Sequence, residues 1–313
     1  MNRIRRLAWR VQQVVARPQT SLFFLRGHPR SGTNWVGALL NLHPRICCKG
    51  EFHLDHVHQA VQQLQAQTWH VVGREPVRTV LDECVAEMVR RCAAAASDKP
   101  GATILGDRTP HTLPVNGSPM VPGAPFILAQ RDGRDVLVSW RYHLLRQPPP
   151  VIRAAVPPAL HERFLADAEA FRANAAEFSS NPERLLTDEA WVRYAAQRWA
   201  NWVTHDAGVV RKSRNGERRT TIHAVRYETL HTDLEPQRAA MYRFLGLDPA
   251  DAEPVSQGSK TAAGFGREDN GSFFRHGEVG DWKTYLTGDA KTWFKEAGGA
   301  GLIELGYEKD LNW

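Results

Sequence analysis

The chain has 313 residues, of which 42% are hydrophobic and 24% are charged, and its formal net charge is +6. This composition is ordinary for a globular protein and excludes disordered, collagenous and disulfide-scaffold chains. The mild basic excess fits an anionic ligand, but it fits nucleic acid or a membrane surface equally well. The four cysteines, at positions 47, 48, 84 and 92, form no Cys-x-x-Cys pair, and no histidine cluster has metal-ligand spacing. We therefore expect reduced thiols, no metal and a cytoplasmic protein.

The first 18 residues are basic, and charges interrupt them throughout. They have no long apolar core, so the sequence predicts neither a secretory signal nor a membrane span. Leu7, Val11, Val14 and Val15 share one helical face. We predict a surface helix packed on the domain, with peripheral contact to anionic lipid as the alternative.

Short apolar strands alternate with helical segments along the chain. Strands are predicted at 21–26, 102–105, 125–130 and 221–226, and helices at 34–42, 76–96, 132–145 and 236–245. This order predicts one α/β domain over 1–313, with a mostly parallel central sheet flanked by helices. A helical insertion is predicted at about 147–213, and a glycine-rich functional loop at about 258–283. Such sheets bind ligands at the carboxyl ends of their strands.

A glycine-rich turn follows the first strand, where residues 27–33 read GHPRSGT. Glycine lets the backbone approach an anion closely, and the helix after the turn offers free N–H groups at its N-terminus. A Walker motif needs lysine where this chain has Thr33. The cation of this turn is Arg30 instead, which disfavours a magnesium-dependent nucleoside triphosphatase.

The stretch PRSGTNW, residues 29–35, resembles the 5′-phosphosulfate loop of sulfotransferases. Three later stretches follow in that family's order: RDGRDVLVS at 131–139, RYETL at 226–230 with FLGL at 244–247, and FRHGEVGDWK at 274–283. The resemblance implies a P-loop-like fold. It also implies 3′-phosphoadenosine-5′-phosphosulfate (PAPS) as co-substrate and 3′-phosphoadenosine-5′-phosphate (PAP) as product.

The resemblance also implies which residues bind this donor. The 5′ end of the donor would be bound by Arg30, Ser31, Gly32, Thr33 and Asn34. Its 3′-phosphate would be bound by Arg131, Ser139, Arg275, His276 and Gly277, and its adenine would contact Trp35 and Tyr227. His276 stands where lysine is usual, so its charge depends on pH. The residues alone allow a plainer interpretation, in which Trp35 is a core residue, Asp132 caps a helix, and Arg134 and Asp135 are solvated charges.

Two side chains compete as the general base that an acceptor hydroxyl requires. Glu51 ends a stretch resembling the L-x-H-P…E segment of tyrosylprotein and heparan sulfotransferases, in which the glutamate is the base. His111 lies in GDRTPHTLP, which resembles both the heparan E-K-T-P and the cytosolic K-T-H-L-P, but it is displaced by two residues from the cytosolic histidine. We favour Glu51. Arg108 takes the place of a lysine near the sulfate, and we assign charge stabilisation to it and to Arg30.

The sequence therefore predicts metal-free, in-line transfer of a sulfuryl group to a hydroxyl or amine of a small metabolite or glycoconjugate. Variable segments at about 52–75, 112–124 and 147–190 are predicted to line the acceptor pocket. One alternative is a P-loop small-molecule kinase, and a second is a family member that has lost catalysis. A third is a non-catalytic protein that binds anions or nucleic acid, which is disfavoured because the arginines lie in spaced motifs at strand ends. The sequence leaves the oligomeric state open.

Overall fold

A computed structural model describes residues 20–67, 69–115, 120–217, 220–256 and 277–313. Its centre is a five-stranded sheet in the order β2-β3-β1-β4-β5, with every neighbouring pair parallel. The strands are β1 Ser21–Arg26, β2 Ile46–Lys49, β3 Ile104–Arg108, β4 Phe126–Gln130 and β5 Ile222–Arg226. The predicted fold class, a mostly parallel sheet flanked by helices, is confirmed.

Helices cover both faces of this sheet and continue beyond it. They are α1 Thr33–Leu40, α2 Asp55–Gln65, α3 Glu75–Ala96, α4 Gly133–Leu145, α5 Pro149–Ala155, α6 His161–Ala173, α7 Ala175–Ser180, α8 Glu189–Arg214, α9 Tyr227–Thr232, α10 Leu234–Phe244, α11 Trp282–Tyr285 and α12 Gly288–Glu304. Within the described ranges, no helix is long and apolar enough to cross a bilayer.

Alternate residues of β1 supply the two faces of the sheet, as the two-residue period of a strand requires. Phe24 packs in a core with Val89 of α3, whereas Phe23 packs in a second core with Leu39 of α1 and Tyr242 of α10. A third core joins α4 to α8 and α12 around the fully buried Trp191. The continuous apolar run of β1 is therefore explained by burial on both sides.

The chain leaves the centre of the sheet in opposite directions. From β1 it passes to β2 and β3 on one side, and later to β4 and β5 on the other. The connections after β1 and β4 therefore diverge and leave a crevice at the carboxyl ends of these strands, where open α/β sheets bind ligands. This topology places the loop 27–32 beside Arg131.

Several elements of the described chain differ from the predicted pattern. β2 and α2 lie where no element was predicted, so the segment 52–75 is helical over Asp55–Gln65 and is not simply a loop. α12 was also not predicted. The stretch at 147–213 consists largely of helices, α5 to α8. Its status as an insertion within a single domain stays a prediction.

Candidate functional site

The turn between β1 and α1 has the backbone geometry of an anion-binding loop. Arg30 and Gly32 have φ angles of 74° and 87°, in the left-handed region that favours glycine. Gly32 is the N-cap of α1, and no side chain caps that helix. The first N–H groups of α1 therefore lack a side-chain acceptor, and together with the positive end of the helix dipole they can bind an anion.

Replacing Gly32 with alanine is expected to lower the free energy of unfolding by about 2–4 kcal/mol, the sum of a left-handed backbone and an overpacked contact. A Cβ at this position would lie 2.4 Å from Cδ2 of Tyr227. Gly216 is a matched control, because its φ is 73° and no atom lies within 4 Å of its Cβ position. Urea unfolding of Gly216→Ala measures the cost of the left-handed backbone alone. The additional loss in Gly32→Ala then measures the cost of the clash with Tyr227. Equal losses would contradict the proposed clash with Tyr227.

Residues from three strand ends meet in the crevice. The Arg131 guanidinium, after β4, donates to the carbonyl oxygen of Arg30 at 3.2 Å and to that of Glu278 at 3.0 Å. Nε of Arg30 donates to Oγ of Ser139 on α4 at 3.1 Å. The Arg131 guanidinium carbon lies 4.1 Å from the ring centroid of Tyr227, which follows β5. The structure thus brings together Arg30, Arg131, Ser139 and Tyr227, whose donor-binding roles stay predictions.

An aromatic cluster borders these cations. The ring of Trp35 lies 5.2 Å from that of Tyr227 and 4.9 Å from that of His231, measured between centroids. The hydroxyl of Tyr227 donates to the carbonyl oxygen of Gly277 at 2.7 Å. Sequence reasoning missed His231, although it lies four residues after Tyr227 and therefore on the same helical face.

The start of α4 holds the chain segment after Gly277 in place. Asp135 accepts hydrogen bonds from the backbone N–H groups of Gly280 at 2.8 Å and Trp282 at 2.9 Å. Arg134 pairs with Asp132 at 2.6 Å and lies 3.9 Å from the ring centroid of Trp282. Asp132 caps α4 as predicted. The prediction that Arg134 and Asp135 are solvated charges is wrong, because both are buried and both are used to dock this segment.

A histidine and an arginine follow Ser139 on one side of α4. Ser139, His143 and Arg146 are spaced by four and three residues, so they share a side of the helix. Burial, followed by the charges of Arg30 and Arg146, lowers the pKa of His143 to about 4. His143 is therefore neutral at physiological pH, and the arginines supply the positive field.

The remaining predicted donor residues occupy different positions. Ser31 is buried in the turn, Thr33 is buried at the start of α1, and Asn34 is half-buried on the same helix. Gly277 has a φ of 64°. Arg275 and His276 lie outside the described residues, as does the N-terminal segment 1–18.

The two candidate bases lie near the ends of β2 and β3. In the parallel β2–β3 pair, Lys49 is opposite Asp107. Glu51 lies two residues after Lys49, so it is beside the end of β3. A Cβ on Gly50 would lie 3.2 Å from Nη2 of Arg108, which places that guanidinium next to the backbone leading to Glu51. The carboxylate of Glu51 is half-exposed and lies 3.3 Å from Nε2 of His53.

His111 is also placed so that one nitrogen can act as a base. Its Nδ1 lies 3.1 Å from the carbonyl oxygen of Thr112 and 3.4 Å from the hydroxyl of the same residue. The ring lies 6.4 Å from that of Trp202 on α8.

Sequence reasoning missed a wall of side chains beside the turn between β1 and α1. His28 is buried with its ring 5.6 Å from that of Trp140 and 5.0 Å from that of Trp202. The Arg198 guanidinium lies 5.0 Å from the ring centroid of Trp140. Burial lowers the pKa of His28 to about 3. Because Nδ1 donates to the carbonyl oxygen of Pro29 at 2.7 Å, Nε2 is an acceptor, and it has no partner among the described residues.

Asp206 lies behind this wall, and burial raises its pKa to about 7. Its Oδ1 accepts the backbone N–H of Leu113 at 2.7 Å. Because burial favours the protonated carboxyl, Asp206 contributes to the free energy of unfolding in a pH-dependent way. The contribution is fully present below the unfolded pKa, near 4, and is lost as pH rises through the folded pKa of about 7.

We expect Asp206→Asn to remove that loss, because the amide oxygen can still accept from Leu113. Three pKa units correspond to roughly 4 kcal/mol, so the variant should gain about that much over the wild type between pH 4 and pH 8. Urea unfolding at several pH values measures the difference. A difference that does not change with pH would show that Asp206 ionises normally in the folded protein.

Comparisons with known proteins assign the chain to a family. The family model of the sulfotransferase domain matches residues 21–300. Protein-tyrosine sulfotransferase 2 from Gallus gallus is 32% identical over 123 residues, which are 36% of this chain and 32% of that protein. The match thus spans about a third of the length of this relative.

Two solved structures are similar at low identity. A mouse sulfotransferase complexed with PAP is 14% identical, with a TM-score of 0.43, over 91% of this chain and 84% of that one. The sulfotransferase domain from the curacin biosynthetic pathway is 14% identical, with a TM-score of 0.43, over 94% of this chain and 99% of that one.

Proposed function

The chain belongs to the sulfotransferase family, and from that membership we propose that it transfers the sulfuryl group of PAPS to a hydroxyl or amine of a small metabolite or glycoconjugate. The observation that carries the proposal is the contact of Arg131 with Arg30, and of Arg30 with Ser139, across the ends of β1 and β4. Two permanent cations and a hydroxyl converge there beside the start of a helix. Such a set suits a ligand with phosphate at both ends.

The residues present fit this donor. Arg131 is 8% exposed, and its Nε has no hydrogen-bond partner among the described residues. A buried guanidinium N–H without an acceptor is costly, and a phosphate oxygen would satisfy it. Ser139 would offer a hydroxyl to the same phosphate, and the buried rings of Trp35 and Tyr227, which meet edge to face, would border the adenine.

When bound, PAPS supplies a sulfuryl group joined to a phosphate that departs as a stable anion. The backbone N–H groups at the start of α1 and the hydroxyl of Thr33 would hold the 5′ end. Arg30 and Arg108 would stabilise the negative charge that develops during transfer, an effect worth on the order of 3–4 kcal/mol for each well-placed donor. Arg131, Ser139 and Gly277, together with Arg275 and His276, would hold the 3′ end.

The carboxylate of Glu51 would orient the acceptor and remove its proton. Its support is its position at the end of β2 beside the Arg108 guanidinium, so that base and stabilising cation lie on neighbouring strand ends. His111 stays the second candidate base. The rings of His111 and Trp202 offer an apolar face to an acceptor containing a sugar or phenol ring, which supports these acceptor classes.

A cytoplasmic location is also part of the proposal. Its support is the state of the four cysteines, all of which are free thiols. Free thiols are usual where glutathione and thioredoxin keep proteins reduced.

The proposal is tested by incubating the protein with PAPS and a panel of acceptors, in the presence of a chelator, and measuring PAP. The panel should contain simple phenols, neutral and amino sugars, and a tyrosine peptide. We expect PAP formation that depends on one class of acceptor. If no acceptor supports PAP formation, and ATP with magnesium instead phosphorylates a panel member, the kinase alternative replaces this one.

Steady-state kinetics with the acceptor that supports PAP formation then distinguish Glu51 from His111 as the general base. Glu51→Gln should lower kcat by about 100-fold or more, the usual contribution of a general base. His111→Gln is the matched comparison and should stay within a few-fold of the wild type. The reverse ranking would assign the base to His111.

A further inference from the structure

A cleft separate from the donor crevice opens at the edge of the sheet. Its volume is about 520 Å³, within the range of small-molecule sites. It lies between the ends of β4 and β5, the C-terminal half of α8, and the end of α12. We call it the β5 cleft. Its lining includes Gln130, Arg211, Arg214, Arg226, Gln237 and Glu304.

The lining of the β5 cleft carries excess positive charge. Its three arginines face one carboxylate, that of Glu304, which pairs with Arg211 at 2.9 Å. Arg226 donates to the carbonyl oxygen of Leu305 and lies 5.0 Å from the ring centroid of Tyr307, neither of which neutralises its charge. Arg214 is exposed and has no ion-pair partner among the described residues. Two positive charges are therefore left for a ligand.

Neutral hydrogen-bonding groups stand beside these cations. The amides of Gln130 and Gln237 are half-buried, and neither side chain has a hydrogen-bond partner in the described part of the chain. Half-buried amides without partners can bind hydroxyl groups in addition to water. Ala207, Val210 and Ala224 form an apolar wall of the same cleft.

We propose that the β5 cleft binds a small, hydroxylated organic anion, such as a phosphorylated or sulfated sugar. Arg214 and Arg226 would hold the tetrahedral anion, because arginine matches phosphate and sulfate oxygens with paired N–H donors. Gln130 and Gln237 would hold the hydroxyl groups. The apolar wall would contact the carbon skeleton.

This site is distinct from the donor crevice, although the two are joined through the chain. Gln130 and Arg226 are opposite each other in the β4–β5 pair, and each is followed directly by a residue of the donor crevice, Arg131 and Tyr227. A phosphorylated or sulfated probe could enter the donor crevice as well. The test must therefore fill the donor crevice first.

Calorimetric titration of the full chain, saturated with PAP, tests the proposal with glucose 6-phosphate, glucose 6-sulfate and glucose. At least one ester should bind and glucose should not, and the ester that binds identifies the anion. Arg214→Ala should weaken binding about 10-fold. Lys212→Ala is the matched control, because Lys212 is an exposed cation of α8 outside the cleft lining, and it should have little effect.

Two results would overturn the proposal. One is the absence of binding by both esters at millimolar concentration. The other is an equal loss of affinity in Arg214→Ala and Lys212→Ala, which would show unspecific attraction to a basic surface. If PAP itself fails to bind, the donor assignment fails, and the β5 cleft can still be tested by the same titrations without PAP.

Discussion

Replacing Arg131 with alanine is expected to weaken PAP binding by about 100- to 1000-fold, since removing one partner of a buried charge pair costs roughly 2–5 kcal/mol. The guanidinium contacts the Arg30 carbonyl oxygen, the Glu278 carbonyl oxygen and the Tyr227 ring, so it links the turn between β1 and α1 to the segment after Gly277. Its loss should remove both the charge and this link. Isothermal titration with PAP measures the change.

Two further variants separate the contributions of Arg131. Arg131→Lys keeps the charge but not the planar fork, so its affinity should fall between those of the wild type and the alanine variant. Arg91→Ala removes an exposed arginine on α3 whose ion-pair partner in the described part of the chain is Glu87, and it should leave PAP affinity unchanged. A change of less than threefold in Arg131→Ala would remove this residue from the donor site.

Replacing Arg30 with glutamine is expected to lower kcat for sulfuryl transfer by about 100- to 1000-fold, the usual effect of losing one donor aimed at developing charge. PAP affinity should fall as well, because PAP retains the 5′-phosphate whose oxygen takes up negative charge as the sulfuryl group leaves. The φ of 74° applies equally to both side chains, so backbone strain does not differ between the two proteins. Steady-state kinetics with an active acceptor, together with PAP titration, gives both quantities.

Arg30→Lys provides the control for charge. It should recover part of the lost kcat, because an ammonium group restores the positive charge without the Nε donor to Ser139. An Arg30→Gln variant with normal kcat and raised KM for PAPS would show that Arg30 contributes only to binding.

Most strands of the sheet could be predicted because their apolar residues are continuous. Several of the helices that cover it could be predicted because their apolar residues are periodic. β1 was predicted with its observed limits, Ser21–Arg26. β2 was missed because its four residues, ICCK, are too few and too mixed to show a pattern. α2 was missed because its sequence, DHVHQAVQQLQ, contains mainly histidine and glutamine.

α12 could not be read from the sequence, because three glycines interrupt it. Gly298, Gly299 and Gly301 are explained only by tertiary packing. A Cβ on Gly301 would lie 2.7 Å from Cζ3 of Trp199, and one on Gly299 would lie 2.4 Å from Cδ2 of Leu311. Close approach of α12 to α8 and to the C-terminal segment therefore outweighs the low helix propensity of glycine.

The candidate site also contains some features that the sequence could predict and others that it could not. The approach of Arg30, Arg131, Ser139 and Tyr227 to one another could be predicted because each lies in a short motif that begins at the end of a strand, whereas their roles stay predictions. The wall formed by His28, Trp140, Arg198 and Trp202 could not, because these residues come from three distant segments and meet only in the fold. Asp135 was misread because its partners, the backbone N–H groups of Gly280 and Trp282, leave no signature in sequence.

The most direct test of the central claim is a titration of the purified protein, without magnesium, with PAP and with ATP. A ligand that binds only the folded state raises the free energy of unfolding by about 2.7 kcal/mol at a hundredfold excess over its dissociation constant. We predict this stabilisation with PAP, weaker binding of ATP, and a loss of the PAP effect in Arg131→Ala and Ser139→Ala. No stabilisation by PAP, or stronger magnesium-dependent binding of ATP, would contradict the assignment of a PAPS-binding crevice.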